Sequence, residues 1–251
     1  MSSSIIYSSK YNKALKNTKI FTLWGPMGSG KSTILFRLEN KLKTMPKAAS
    51  KSIKIIHSYI QYYRENQPLV AAIIDKNLRI LYDLSKSQSA RVNAFFTIQK
   101  IVINYSVRQI TDAISNCYKI LIMHNGYYTE TNIFSHTSRL KKLGLNPQDI
   151  EKYKNLLQAS GWKDLKEDYL ISCDASLYDC FHRVAARKRA SKTGEKGMVF
   201  QQYRELNLGV IVRRPTIPTI KIDTSKGEAD MGYVNALHNI LTYVLELAKL
   251  L

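Results

Sequence analysis

The run Gly25-Pro-Met-Gly-Ser-Gly-Lys-Ser-Thr33 carries the most specific chemistry in the chain. It fits Gly-x-x-x-x-Gly-Lys-Ser, a spacing that wraps backbone N–H groups around a phosphate and delivers one lysine and one hydroxyl to it. Gly25, Gly28 and Gly30 let the main chain turn tightly, and the helix opening at Thr33 points its N-terminus at the anion. Lys31 is placed to neutralise the outer phosphates, and the Ser32 hydroxyl is placed to ligate Mg²⁺. A chance glycine turn is the competing reading, and the position of the run between an apolar strand and a helix argues against it.

A phosphate loop identifies a ligand and leaves the reaction open. An acid at the end of an apolar strand commonly helps to hold Mg²⁺. Here the apolar run 119–123 ends in His124-Asn125-Gly126, while Asp174 and Asp223 follow the runs 169–173 and 217–222. Either acid serves in a suitable strand order, but each more simply caps a helix or starts a turn.

The positioning elements follow from hydrophobic periodicity. Short β-favouring runs at 18–24, 52–57, 119–123, 169–173 and 217–222 alternate with helical patterns at 33–43, 67–84, 91–116, 130–143, 146–160, 176–189 and 231–251. Such alternation predicts an α/β fold, a helix-rich parallel sheet flanked by helices. No linker divides the chain, so the expectation is a single domain over 18–251. It is preceded by an arm, 1–17, with no core to join.

Composition narrows the partners. The 251 residues are 45% hydrophobic and 23% charged, which excludes wholesale disorder. No apolar run approaches the ~18 residues of a membrane span, and the polar, lysine-bearing start is unlike a secretory signal. The expectation is therefore an intracellular protein without membrane contact. The three cysteines fit a reducing compartment, and their odd number leaves an intermolecular disulfide open. Thirty-eight Lys and Arg against 19 Asp and Glu give a net charge of +19, which attracts a nucleotide or another polyanion. The same lysines, spread along the chain, read equally as a solvated surface.

At this point the chain resembles the deoxynucleoside kinases, from residue 19 to the C-terminal helix. The markers come in the family's order. After the P-loop stand Phe96-Thr97-Ile98-Gln99 and Ile120–Met123, with Tyr128 and Phe134 beyond. Arg183, Arg187 and Arg189 follow, then Gly197 before a helix and Ile222-Asp223-Thr224. The resemblance implies a P-loop kinase fold using ATP and Mg²⁺, Gln99 reading a nucleoside base, and a lid whose arginines Arg183, Arg187 and Arg189 stabilise the transferring phosphoryl group. Without the resemblance, the same arginines near a helix C-terminus would read as dipole-complementing charge.

The departures fall on the catalytic positions. His57-Ser58 stands where the family has Glu-Pro, whose glutamate takes the proton of the 5′-hydroxyl. His124-Asn125-Gly126 stands where the family has Glu-Arg-Ser, whose glutamate serves Mg²⁺ and whose arginine serves substrate and phosphates. Positioned acid–base help is worth ~10²–10⁴ in rate, so losing these groups predicts a retained fold with degenerate catalysis. An imidazole at position 57 can itself act as a base. The expectation is thus a repurposed, self-assembling structural protein, forming a homo-oligomer or lattice. Sixteen tyrosines suit such interfaces. An Ile-, Lys-, Asn- and Tyr-rich composition suggests an AT-rich genome, as many large insect viruses have, and a viral matrix or occlusion-body component. The alternative is an active deoxynucleoside kinase, transferring the ATP γ-phosphate to a 5′-hydroxyl.

Overall fold

The first strand, β1 (Lys19–Trp24), alternates its side chains between two apolar layers, which makes it the middle of the molecule. The computed structural model describes residues 14–46, 50–131, 140–141, 143–186, 199–207, 215–225 and 231–250. With β2 (Ile53–Ile56), β3 (Ile120–Met123), β4 (Tyr169–Asp174) and β5 (Thr219–Asp223), β1 forms a five-stranded parallel sheet in the order β2-β3-β1-β4-β5. Thr22 lies opposite Met123 on one side of β1, and Met123 lies opposite Ile56. The C-terminal ends of β1, β3 and β2 therefore sit side by side. The chain leaves β1 for one edge of the sheet, returns through β3, and then builds the other edge. Ligands of open parallel sheets bind at such a reversal, beyond the carboxyl ends of the strands.

Phe21, Leu23, Ile120, Ile122, Ile171, Cys173 and Ile222 face one layer. It is closed by Ile34, Leu35, Leu38 and Leu42 of α1 (Lys31–Lys43) and by Ile240, Leu241 and Val244 of the C-terminal helix (Met231–Leu250). Ile20, Leu121 and Met123 face the larger opposite layer. The helices there are α2 (Tyr59–Asn66), α3 (Pro68–Tyr82), α4 (Gln88–Ser115), α5 (Tyr127–Thr129), α6 (Pro147–Ala159), α7 (Leu177–Ala185) and α8 (Phe200–Leu206). The predicted helix-rich α/β architecture is thus observed.

Boundaries differ where caps decide them. The helix expected from residue 33 starts at Lys31, directly after Gly30 at φ 87°. The helix expected from 91 starts at Gln88, because the Ser87 side chain accepts from the Ala90 N–H. α2 was not expected: it buries no residue fully, and its signals are the Ser58 cap, which accepts from the Gln61 N–H, and the half-buried Tyr59, Ile60, Tyr62 and Tyr63 on the larger core. Most of the helix expected over 130–143 lies outside the described residues. So does the arm up to residue 13, but residues 14–17 are helical, and Ala14 and Leu15 pack against the larger core. No helix among the described residues is long and apolar enough to cross a membrane.

α4 ends in a turn that gives a direct test. The Tyr118 N–H donates to Ala113 O and the Cys117 N–H to Ile114 O, a Schellman pair that puts Cys117 at φ 60°. A left-handed conformation costs a non-glycine residue about 1–2 kcal/mol. Cys117→Gly should therefore raise stability by about 0.5–1 kcal/mol after glycine's extra backbone entropy is subtracted. The urea midpoint should move up; an unchanged or lower midpoint would contradict the cap assignment.

Candidate nucleotide site

The P-loop leaves β1 at Trp24 and enters α1 at Lys31, as the sequence motif requires. Its shape depends on close approach. At Gly28, with φ 89°, a Cβ would lie 2.2 Å from the carbonyl oxygen of Cys180 on α7. The loop is braced from α8 as well: the Met27 N–H donates to Asn207 Oδ1 at 3.1 Å, and the Tyr203 hydroxyl donates to Met27 O at 2.5 Å. Lys31 Nζ donates to the loop's own carbonyls, Gly25 O at 2.8 Å and Pro26 O at 2.7 Å. The N-terminus of α1 and the Lys31 ammonium lie at the loop Gly25–Thr33, where the sequence places an anion site, with the ammonium bonded to the loop itself.

Both histidines at the divergent positions reach α1. His124, after β3, has Nε2 3.1 Å from Ser32 Oγ, and its Nδ1 lies 3.0 Å from Asn125 Oδ1. An amide oxygen only accepts, so Nδ1 carries the proton and Nε2 accepts from the Ser32 hydroxyl. His57, after β2, places Nε2 3.2 Å from Glu39 Oε2, while Nδ1 is buried without a hydrogen-bond partner. Its backbone carbonyl accepts from the Tyr105 hydroxyl at 2.9 Å. Ser32 and Glu39 are seven residues apart, two turns along one face of α1 and about 10 Å along its axis.

The remaining predicted residues divide into separate groups. Arg183 donates from Nη2 to Thr224 O at 2.9 Å and Ser225 O at 3.1 Å, which ties α7 to the end of β5. Gln99 is buried on α4, where its Oε1 lies 3.3 Å from the Tyr153 hydroxyl, which also bonds to Glu130. Arg187, Arg189, Gly197 and Phe134 lie outside the described residues. Asp223 serves a local turn, as its simpler reading expected, its Oδ1 accepting from the Ser225 N–H and hydroxyl, whereas Asp174 ends β4 and its Oδ1 accepts from the Ser172 hydroxyl of the same strand.

A Ser32 hydroxyl that donates its hydrogen to His124 keeps its oxygen lone pairs, so Ser32 could hold a Mg²⁺ ion that takes its other oxygen ligands from phosphates and waters. Among the described residues, no group of three or more His, Cys, Asp and Glu is arranged to hold a metal ion. The groups present that could meet a phosphate are the N–H groups of the loop, Lys31 and Arg183, the last two bonded here to backbone carbonyls.

Sequence reading missed Glu167, a carboxylate only 5% exposed that positions the loop after β3. Both of its oxygens accept from the Tyr128 N–H, at 3.0 and 2.8 Å. A Cβ at position 126 would lie 2.0 Å from Glu167 Oε1, so Gly126 is what allows the carboxylate in. No motif flags a lone glutamate before a strand. The thiols under the P-loop are inert: burial pushes Cys173 up to about 12 and raises Cys180 as well. All three cysteines are free and only Cys117 is exposed, so the intermolecular disulfide left open by the sequence would have to use it.

The fold and the cradle define a P-loop nucleotide-binding protein. The chain belongs to the deoxynucleoside kinase family, whose model covers residues 21–208. Among solved structures it is similar to the deoxyadenosine kinase from M. mycoides with bound dATP, with a TM-score of 0.60 and 16% identity. The alignment covers 88% of this chain and 98% of that one, a likeness in fold. A search of curated proteins finds no match.

Burial raises the Glu167 carboxyl above its usual 4.5 and outweighs the amide donors that lower it. The folded state therefore holds this proton more tightly than the unfolded state does. Its contribution is fully present below the unfolded value and is lost as pH rises through the folded one. Glu167→Gln should remove that pH-dependent component and cost about 1–3 kcal/mol, because an amide NH₂ then meets a backbone donor. Thermal unfolding from pH 4.5 upward should give a flatter profile for the variant; parallel profiles would contradict this assignment.

Proposed function

We propose that this protein binds a nucleotide through its P-loop and retains little phosphoryl transfer, the kinase fold serving binding and self-assembly. The observation that carries the reading is the pairing of His124 with Ser32 and of His57 with Glu39. At the two positions where the resembled family needs a base and a metal-serving acid, these side chains fasten α1 to the strand ends. In the bound state the loop N–H groups and Lys31 would orient the phosphates, and Arg183 would stand beside them. Gln99 and the lid positions Arg187 and Arg189 remain candidates for base and phosphate recognition. ATP supplies the transferable phosphoryl group in the active alternative.

That alternative has one specific observation in its favour. Glu39 holds His57 by Nε2 and leaves Nδ1 without a partner, an oriented imidazole of the kind that accepts a proton. Assays with ATP and the four deoxynucleosides separate the readings. The proposal expects turnover at least tenfold below the ~1–100 s⁻¹ of ordinary kinases, and ordinary turnover would establish the alternative. Restoring the family's residues with His57→Glu, His124→Glu and Asn125→Arg should raise phosphorylation, but only alongside Glu39→Gln. Otherwise carboxylates at 57 and 39 would face each other at about the present 3.2 Å.

Self-association, toward a matrix or occlusion-body type of assembly, is supported by α3. Its Leu69 and Ile73 are 83% and 46% exposed one turn apart, on the side away from buried Ile74 and Leu78. Light scattering should show oligomers that grow with ionic strength as the +19 charge is screened. Leu69→Glu with Ile73→Glu should shift them to monomer. A wild-type monomer at every salt concentration would end the assembly reading.

A further inference from the structure

We propose that the end of the sheet opposite the P-loop is a nucleic-acid surface, where lysines from three parts of the chain hold the phosphates of a duplex without reading its sequence. The inference is independent of the nucleotide-binding reading, because it uses none of the P-loop or histidine residues.

The fold gathers this charge from segments that are far apart in sequence. Lys19, at the start of β1, donates its N–H to Lys119 O at 2.8 Å, and the Lys119 N–H donates to Ser52 O at 2.9 Å. The first residues of β1, β3 and β2 therefore lie side by side, with Lys16, Lys51 and Lys54 next to them in the chain. α1 runs back along the sheet for 13 residues, about 20 Å, which matches the length of β1. Its last turn returns Lys41 and Lys43 to the level of the strand starts.

Local placement, rather than the charge of the whole chain, makes this a patch. Segments 14–20, 40–46, 50–54 and 113–122 contain seven lysines and not one Asp or Glu. From outside them, Asp168 pairs with Lys19 at 3.2 Å and Glu39 with Lys43 at 3.9 Å. Asp112, one residue before the last segment, is taken by Arg108 at 3.7 Å. Lys16, Lys41, Lys51 and Lys54 have no ion pair among the described residues. The first three are exposed, and the Lys54 ammonium lies over the Tyr118 ring, 6.0 Å from its centre. Lysines gathered without acids repel one another, and a polyanion relieves that repulsion.

The chemistry of the patch selects the partner. These segments have no arginine, the residue that forks onto guanine edges. None of the large apolar side chains exposed among the described residues falls in them. They therefore offer neither a stacking platform for single-stranded bases nor an apolar wedge for a bilayer. Point charges on flexible stems across three strand ends suit the repeated phosphates of a duplex.

Fluorescence anisotropy of a labelled duplex of about 20 base pairs, titrated with the full chain at about 50 and about 200 mM salt, tests the proposal. Four unpaired lysines on phosphates predict a slope of log affinity against log salt of about −3 to −4, a loss of about 100-fold between the two conditions. Lys41→Gln with Lys51→Gln and Lys54→Gln, checked for folding by its thermal transition, should flatten the slope to about −1. Lys76→Gln with Lys100→Gln and Arg204→Gln removes the same charge from exposed positions elsewhere and should change the affinity by less than about threefold. Excess ATP with Mg²⁺ should leave the duplex bound, since the P-loop is at the other end of the sheet. The proposal is overturned by no binding at the lower salt, by equal losses in the two triple variants, or by displacement with ATP. Binding to phosphatidylserine vesicles in place of the duplex would overturn it as well.

Discussion

The site depends on how α1 is held against the ends of three neighbouring strands. The P-loop and α1 emerge from β1, and the N-terminus of α1 is the end that favours an anion. Lys31 fastens the loop from inside, while Tyr203 and Asn207 brace it at Met27. His124 and His57 fasten α1 at Ser32 and Glu39, two turns apart. Each polar contact is worth only about 1 kcal/mol net. Together they place one rigid element over β1, β3 and β2, and the apolar face of α1 on Phe21 and Ile122 holds it down. Any nucleotide must be accommodated by this preset arrangement.

Much of this was legible in the sequence because the determinants are local. All five strands are short β-favouring runs, and they were located to within two residues. The P-loop was legible from its spacing between a strand and a helix. The two divergent positions, the pair His57-Ser58 and the triplet His124-Asn125-Gly126, could be located by the order of the motifs. Ser32 and Glu39 at i and i+7 even share a helical stripe that periodicity predicts. Pairing them with His124 and His57 required the strand order, which brings the ends of β3 and β2 together across a long stretch of chain. Nothing local encodes it.

The same limit explains what was missed. α2, Tyr-Ile-Gln-Tyr-Tyr-Arg-Glu-Asn, buries no residue fully; Tyr59, Ile60, Tyr62 and Tyr63 pack half-buried on the larger core, and Ser58 three residues before Gln61 caps it. Glu167 becomes meaningful once Gly126 and Tyr128 lie beside it, and they are about forty residues away in sequence. The loss of acids at positions 57 and 124 suggested vacated catalytic sites. The structure instead shows those positions refilled by bonded pairs, with a neighbouring glycine–glutamate contact fixing the loop after β3.

The two histidine pairs therefore define the account, and their tautomers test it. His124 should carry its proton on Nδ1, facing Asn125 Oδ1, and His57 should carry its proton on Nε2, facing Glu39. Long-range ¹H–¹⁵N correlation spectra of the ¹⁵N-histidine-labelled protein, recorded where both rings are neutral, read this directly. The account predicts opposite, fixed tautomers for the two residues. Averaged nitrogen shifts at both rings would mean they are unlatched, and α1 would then lack the fastening on which the site depends.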